Sequence, residues 1–336
     1  MTKKILVTGG AGYIGSHTVH HFLKHSYSPS DIIVFDNLVY GHQEFIPKGV
    51  RFIKGDLLNK TDINQVFKDH SIDRVIHFAA YAYVGESMTN PGKYFENNVV
   101  GGLNLLKAML SGNCKKIVFS SSCAIYGTPS TNPITENFPT NPINPYGETK
   151  LMFEKILTWY WQLHQIKSVR LRYFNAAGAN FGIGEAHDPE PHLIPLVINT
   201  ALGKRKFVRI YGTNYPTPDG SCLRDYIHVL DLADAHLKAL VYLDKSNSTT
   251  DFFNIGTGKG TSVKEIVSEV KKHQPNFEVR EEQARPGDPA ELVADPSKAN
   301  KILGWKSRYT IENIINDAWQ WHPTSNNSNG MILGKL

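Results

Sequence analysis

A run of glycines between an apolar strand and a helix constrains this chain more than any other feature. In Lys4-Ile-Leu-Val-Thr-Gly-Gly-Ala-Gly-Tyr-Ile-Gly-Ser-His17 a buried strand at 5–8 runs into glycines at 9, 10, 12 and 15 and then into a helix. A turn with so little side-chain bulk lets backbone N–H groups approach a diphosphate. The helix N-terminus behind it adds about half a positive charge. Two registers fit, Gly10-x-Gly12-x-x-Gly15 and Gly9-x-x-Gly12-x-x-Gly15. A second apolar run, 32–35, ends in Asp36, about 20 positions past the loop. A carboxylate there accepts both hydroxyls of an adenosine ribose and repels a 2′-phosphate, which points to NAD rather than NADP.

Strand-like runs recur at 51–54, 74–78, 116–120 and 168–172, with amphipathic stretches near 13–25, 60–70, 93–110 and 147–164. Continuous apolar strands alternating with helices predict a doubly wound parallel sheet covered on both faces, an α/β Rossmann fold. After about Phe174 the texture changes: 175–192 and 211–222 are rich in Gly, Pro, Asn and Asp, with a helix at 193–202 between them. A helix at 229–243 and a strand at 252–255 return the chain to the first lobe. Helices near 261–272 and 310–321 belong to a second, smaller α/β lobe. The predicted division is a dinucleotide-binding domain over 1–175, with a returning segment about 229–256, and a substrate lobe over 176–336. Its polar tail from about 323 is expected to fray.

Composition excludes several classes. The 36 basic and 31 acidic residues are spread along the chain, and Lys204-Arg-Lys206 and Lys271-Lys-His273 are only short clusters. Neither nucleic acid nor a membrane surface is an expected partner. No apolar run approaches the length of a membrane span. The first strand is read from about residue 3, so no signal peptide is expected. Cys114, Cys123 and Cys222 form no CxxC pair and suggest a reducing cytoplasm. His17, His20, His21 and His25 fall at near-helical spacing, but Val19, Phe22 and Leu23 mark the buried side of that helix. The histidines are therefore expected to face solvent, and no metal site is expected.

The candidate chemistry lies in Pro145-Tyr146-Gly-Glu-Thr-Lys150, which opens a helix. Tyr146 and Lys150 are one helical turn apart and project from one face. An ammonium near a phenol favours phenolate, and an oxidised nicotinamide nearby acts in the same sense. That would turn Tyr146 into a usable general base. The preceding buried strand ends in Ser120-Ser121-Ser122, and Ser122 can hydrogen-bond the same substrate hydroxyl. Switch-point geometry places that strand end beside the cofactor.

These motifs resemble the extended short-chain dehydrogenase/reductase family, and within it the nucleotide-sugar 4-epimerases. The resemblance covers nearly the whole chain, including His77-Phe-Ala-Ala80, Val84-Gly-Glu-Ser87, Asn97-Asn-Val99 and Ser120-Ser-Ser-Cys-Ala-Ile-Tyr-Gly127. Its most specific segments are Tyr215-Pro-Thr-Pro-Asp-Gly220, Arg224-Asp-Tyr-Ile-His-Val229 and Asn254-Ile-Gly-Thr-Gly258. It implies NAD bound by Gly9, Gly12, Tyr13, Ile14, Gly15, Asp36 and Asn37, with Asp56 and Leu57 flanking the adenine. Phe78, Ala79 and Ala80 would line the cofactor groove, Asn98 and Ser120 would fix it further, Lys150 would hold the nicotinamide ribose, and Tyr173 would pack near the nicotinamide. For a UDP-sugar it implies Ser122, Tyr146, Asn175 and Leu193, with Tyr211 and Tyr226 near the uridine, Arg224 and Arg285 on the diphosphate, and Asp288 beside them. Two guanidiniums suit two phosphates through forked, charge-assisted hydrogen bonds.

The implied activity is interconversion of UDP-glucose and UDP-galactose at C4 through a 4-keto sugar with transient NADH, by a cytoplasmic homodimer. The dimer helices would lie in 93–110 and 147–164. A UDP-pentose or UDP-N-acetylhexosamine 4-epimerase is the alternative within the class, and a non-catalytic NAD sensor the alternative outside it. A dehydratase needs an acid/base carboxylate pair where this chain has Cys123 and Ala124. Ala82 replaces a lysine of some relatives, and Glu190-Pro-His-Leu193 replaces their paired asparagines. Leu292 stands at a position associated with the sugar's C2 substituent and is intermediate in size, which implies mainly plain hexoses.

Overall fold

A computed structural model describes residues 4–25, 27–245, 250–285 and 288–325. The first half alternates as predicted. Strands β1 (Lys4–Thr8), β2 (Ile32–Asp36), β3 (Arg51–Lys54), β4 (Ile72–His77), β5 (Lys116–Ser122) and β6 (Lys167–Tyr173) are separated by helices, except that a loop with a short 3-10 turn joins β2 to β3. The helices are α1 (Tyr13–His25), α2 (Lys60–Asp69), α3 (Val84–Thr89), α4 (Pro91–Tyr94), α5 (Gly101–Ser111) and α6 (Pro145–His164). The second half holds β7 (Asn175–Ala177), α7 (Leu193–Ala201), β8 (Phe207–Tyr211), β9 (Leu223–Arg224), β10 (Tyr226–His228), α8 (Val229–Lys245) and β11 (Thr250–Ile255). It closes with β12 (Thr261–Ser262), α9 (Val263–Lys271), β13 (Glu278–Glu282), β14 (Glu291–Leu292), α10 (Ser297–Leu303) and α11 (Ile311–Ser325).

Seven strands form one sheet in the order β11-β6-β5-β4-β1-β2-β3, every neighbouring pair parallel. The side-chain period of a strand explains why both faces are apolar. Ile5 and Val7 pack with Val34, Val118 and Val169 against α1 and α8, while Leu6, Ile33, Phe35 and Phe119 pack against α2, α5 and α6. Each such fully buried side chain stabilises the fold by about 1.5–3 kcal/mol. The strand order reverses between β1 and β4, so the connections leaving their carboxyl ends diverge and open a crevice. The strand expected at 252–255 is β11, and it extends the sheet beyond β6.

The amphipathic stretch at 93–110 is not one regular helix. Asn90 ends α3 and caps α4, and a π-helical turn over Phe95–Val100 precedes α5. The second lobe has its own core, built where α7, α9 and α11 close over β8. Its strands form small sheets only, β10-β7, β12-β9-β14 and β13-β8. Of the polar tail expected from about 323, residues up to 325 continue α11, and the rest lies outside the described residues.

Two of the four α1 histidines depart from expectation, while His25 is exposed and His20 partly so. His17 is buried, its Nε2 accepting from the Asn180 backbone N–H at 3.1 Å and its Nδ1 lying 2.7 Å from the Tyr13 carbonyl oxygen. Burial drives its pKa down to about 3. His21 is buried too, with Nε2 3.7 Å from Asp234. The reason is non-local: α8 covers one flank of α1, and the loop after β7 covers another.

Candidate active site

A cavity of about 760 Å³ opens along the crevice. Of the residues singled out in the sequence, Gly9, Gly12, Tyr13, Ile14, Gly15, Asp36, Asn37, Asp56 and Leu57 line its first end. Phe78, Ala79, Ala80, Ser120, Ser122, Tyr146, Lys150 and Tyr173 line its middle, and Asn175, Leu193, Arg224, Tyr226, Arg285 and Asp288 its far wall. Asn98 and Tyr211 are not among the lining residues. Asn98 is buried and works as a brace, accepting from Tyr81 N at 2.9 Å and donating to Tyr81 O and Thr149 Oγ1 at 3.0 Å. Tyr211 lies beneath Arg285, whose guanidinium carbon is 4.0 Å from the ring centre.

At the first end the loop is packed so that side chains are excluded. Gly9 has φ +72°, and a Cβ there would lie 2.5 Å from Ala79 N. A Cβ on Gly15 would lie 2.2 Å from the Gly9 carbonyl oxygen. This leaves backbone amides and the α1 N-terminus facing the cavity, the cradle a diphosphate requires. Asp36 is buried at the end of β2. Its Oδ2 accepts from Ala11 N at 3.0 Å and its Oδ1 from Leu38 N at 2.9 Å, so it braces the loop while facing the cavity. Asn37 donates to Asp56 Oδ2 at 3.0 Å, tying the ends of β2 and β3 together. The residues present fit a dinucleotide with free ribose hydroxyls.

In the middle, Asn144 caps α6 by accepting from Gly147 N at 2.8 Å, with Pro145 in the first turn. That places Tyr146 at the helix start, with Ser122 near enough to its hydroxyl to favour the phenolate. The acidified phenol expected from the Tyr–Lys spacing is not present in this structure. Burial pushes Tyr146 up to about 12, with Ser122 only partly offsetting it. Lys150 Nζ donates to the Ser120 carbonyl oxygen at 2.8 Å and lies 5.7 Å from the Tyr146 ring centre, and burial pulls it down to about 7. Desolvation disfavours both charged forms and is the largest influence on each. Tyr173 is fixed by a hydrogen bond to His236. His236 Nδ1 lies 2.8 Å from the Leu232 carbonyl, so its Nε2 is the acceptor for the Tyr173 hydroxyl.

At the far wall Arg224 pairs with Asp288 and donates to the Leu223 carbonyl at 2.8 Å. Asp225, which the sequence reading passed over, is a hub. Its carboxylate accepts from Thr257 N at 2.7 Å, Gly258 N at 3.0 Å and Ala294 N at 3.2 Å, joining two of the quoted motifs. The sequence reading also missed that Glu185 and His187 cluster with Glu190 and His192, their donor atoms lying within 4.8 Å of one another. His192 Nδ1 is 2.8 Å from both Glu185 Oε1 and Glu190 Oε1, the spacing of hydrogen bonds. Burial opposes a charge on His192, but Glu185 and Glu190 outweigh it and hold the ring up to about 10. The cluster is an imidazolium between two carboxylates, and it fixes the entry to α7. The signal was present in the sequence as Glu-x-His-x-x-Glu-x-His.

The profile of the NAD dependent epimerase/dehydratase family matches residues 5–256. The chain is 51% identical over 323 residues to a UDP-glucose 4-epimerase of Halalkalibacterium halodurans, covering 95% of each protein. Its fold is similar to that of the UDP-glucose 4-epimerase of Brucella ovis, solved in complex with NAD, with TM-score 0.91 and 43% identity over 95% of this chain and 98% of that one. The Bifidobacterium longum UDP-glucose 4-epimerase, solved with NAD+ and UDP, gives TM-score 0.90 and 40% identity over 97% of this chain and 99% of that one.

Proposed function

The chain belongs to the NAD-dependent epimerase/dehydratase family, and from that membership and its cavity we propose that it interconverts UDP-glucose and UDP-galactose at C4 with NAD as cofactor. The observation that carries this reading is the single cavity that brings the glycine loop, the Ser122–Tyr146 pair and two arginines together. The proposed division of labour puts the cofactor on the sheet lobe, 1–175 with 229–256, and the sugar nucleotide against the rest. NAD, when bound, supplies a hydride acceptor at C4 and then a hydride donor.

The chain's own residues do the remainder. Tyr146 takes the C4 hydroxyl proton, with Ser122 relaying it, and returns it after the sugar has turned. Lys150 steadies the phenolate electrostatically. Arg224 and Arg285 hold the diphosphate, which leaves the sugar able to present either face. A pocket that gripped the hexose in one pose would give no inversion. Leu292, which also lines the cavity, is of intermediate size, so plain hexoses are the preferred substrates.

The test incubates purified protein with UDP-galactose and follows the anomeric and C4 proton signals by NMR. Conversion to an equilibrium mixture with UDP-glucose, and release of NAD on denaturation, are expected. Bound NAD without conversion of any UDP-hexose, UDP-pentose or UDP-N-acetylhexosamine would instead identify a sensor.

The proposed location is the cytoplasm, consistent with three free cysteines. Among the described residues no helix is long and apolar enough to cross a membrane. The proposed assembly is a homodimer through the helices of 93–110 and 147–164. Trp159 and Leu163, one turn apart on α6, are 62% and 70% exposed, and Val100 before α5 is 45% exposed. Replacing both α6 residues, W159E/L163E, should convert a dimer to a monomer by light scattering. An unchanged mass would rule this face out.

A further inference from the structure

A buried ion pair joins α6 to β5 and β6, the elements that carry the middle of the cavity. Glu154 lies on α6 one helical turn beyond Lys150. Its carboxylate accepts from Arg172 Nε at 3.0 Å, from Arg172 Nη2 at 2.6 Å and from the Ser121 hydroxyl at 2.6 Å. Arg172 Nη1 donates to the Tyr126 hydroxyl at 2.8 Å, and that hydroxyl donates to Asn254 Oδ1 at 2.7 Å. The Arg172 and Glu154 side chains are 5% and 3% exposed. The network therefore ties α6 to β5, β6 and β11. Each anchor is at or next to the cavity: Ser121 lines it between Ser120 and Ser122, Arg172 precedes Tyr173, and Glu154 follows Lys150 by one turn.

A buried ion pair is weak evidence of stabilisation, because apolar side chains of similar volume often do as well. Its placement suggests another reason. We propose that the Glu154–Arg172 pair is a positioning device for the reaction: it locks the Tyr146/Lys150 helix in register with the Ser122 strand and sets a carboxylate beside Lys150. The inference rests on the epimerase reading. Charged and titratable groups around Lys150 are Tyr146 and Glu154 on its own helix and His77 on β4, with Arg170 and Arg172 on β6 flanking Glu154. Burial holds His77 neutral, at about 3. Glu154 is the group that opposes the burial of the Lys150 charge. Without it Lys150 releases its proton at lower pH, and the Tyr146 phenolate forms only at higher pH.

The deciding variant is E154L/R172M, which removes both charges and fills their volume. It is compared with wild type for melting temperature, bound NAD, kcat, KM for UDP-galactose and the pH profile of kcat. The expected result is a folded, NAD-loaded protein with KM within about twofold, kcat down about 10–100-fold, and the low-pH limb of kcat moved to higher pH. Ser121→Ala removes one hydrogen bond to Glu154, leaves the pair intact, and should lower kcat about 3–10-fold at unchanged KM. If the paired variant fails to fold, Ser121→Ala decides. Wild-type kcat and pH profile in a folded, loaded variant would overturn the proposal and leave the pair structural. Wild-type turnover of UDP-galactose tests the epimerase reading separately, since only the ratio of variant to wild type tests the pair.

Discussion

Tyr146→Phe is expected to cut turnover of UDP-galactose by about 10²–10⁴-fold while leaving bound NAD and KM close to wild type. The change removes one oxygen and nothing else, and the ring keeps its place at the start of α6. Neither neighbouring histidine is free to take over as base. His236 accepts the Tyr173 hydroxyl, and His77 Nδ1 is 2.7 Å from Thr8 Oγ1. Burial keeps both imidazoles neutral, at about 3. Ser122 remains, but a lone hydroxyl is a poor base near neutral pH. The far wall is untouched, so Arg224 and Arg285, the proposed diphosphate clamp, keep their places. The measurement is initial rate against UDP-galactose with NAD occupancy determined in the same samples. Activity within tenfold of wild type would move the base elsewhere. Because burial, partly offset by Ser122, holds the phenol at about 12, the low-pH limb of the wild-type kcat profile also reports how far Lys150 and the bound cofactor lower it.

The parts of this site that depend on local geometry were legible in the chain. Glycines after a strand, a carboxylate at the end of the next strand, and a tyrosine and lysine one helical turn apart each fix a spatial relation that short-range sequence encodes. The seven strands were legible because a parallel sheet buried on both faces needs continuous apolar runs. What escaped was set by residues far apart in sequence. His17 looked exposed because Asn180, its partner, arrives from the loop after β7. Asp225 looked like a link in a motif, yet it gathers the backbones of Thr257, Gly258 and Ala294. The Tyr146–Lys150 spacing suggested an acidified phenol, but spacing carries no information on desolvation, which dominates in a closed cavity. The histidine–glutamate cluster at 185–192 was visible as spacing and was passed over in favour of the α1 histidines.

Gly15→Ala is expected to yield protein without stoichiometric NAD and with turnover below about 1% of wild type. A Cβ at this position would lie 2.2 Å from the Gly9 carbonyl oxygen and 2.9 Å from Gly10 Cα, so something in the backbone must move. Gly9 cannot retreat, because its own Cβ position is 2.5 Å from Ala79 N at the end of β4, and its φ of +72° is one that glycine adopts most readily. The first turn of α1 must therefore shift away from the loop, and the amides facing the cavity lose their common aim. Overpacking of this kind costs about 1–3 kcal/mol, which lowers the melting temperature by several degrees without unfolding the chain. Gly12→Ala is the control. Its Cβ meets only the Gly9 oxygen, at 3.4 Å, so the loop keeps its shape and any loss of NAD reports contact with the cofactor itself. Absorbance at 260 nm of the released nucleotide, normalised to protein, separates the two cases. A Gly15→Ala protein that retains a full complement of NAD would show that the glycine turn is not what holds the dinucleotide.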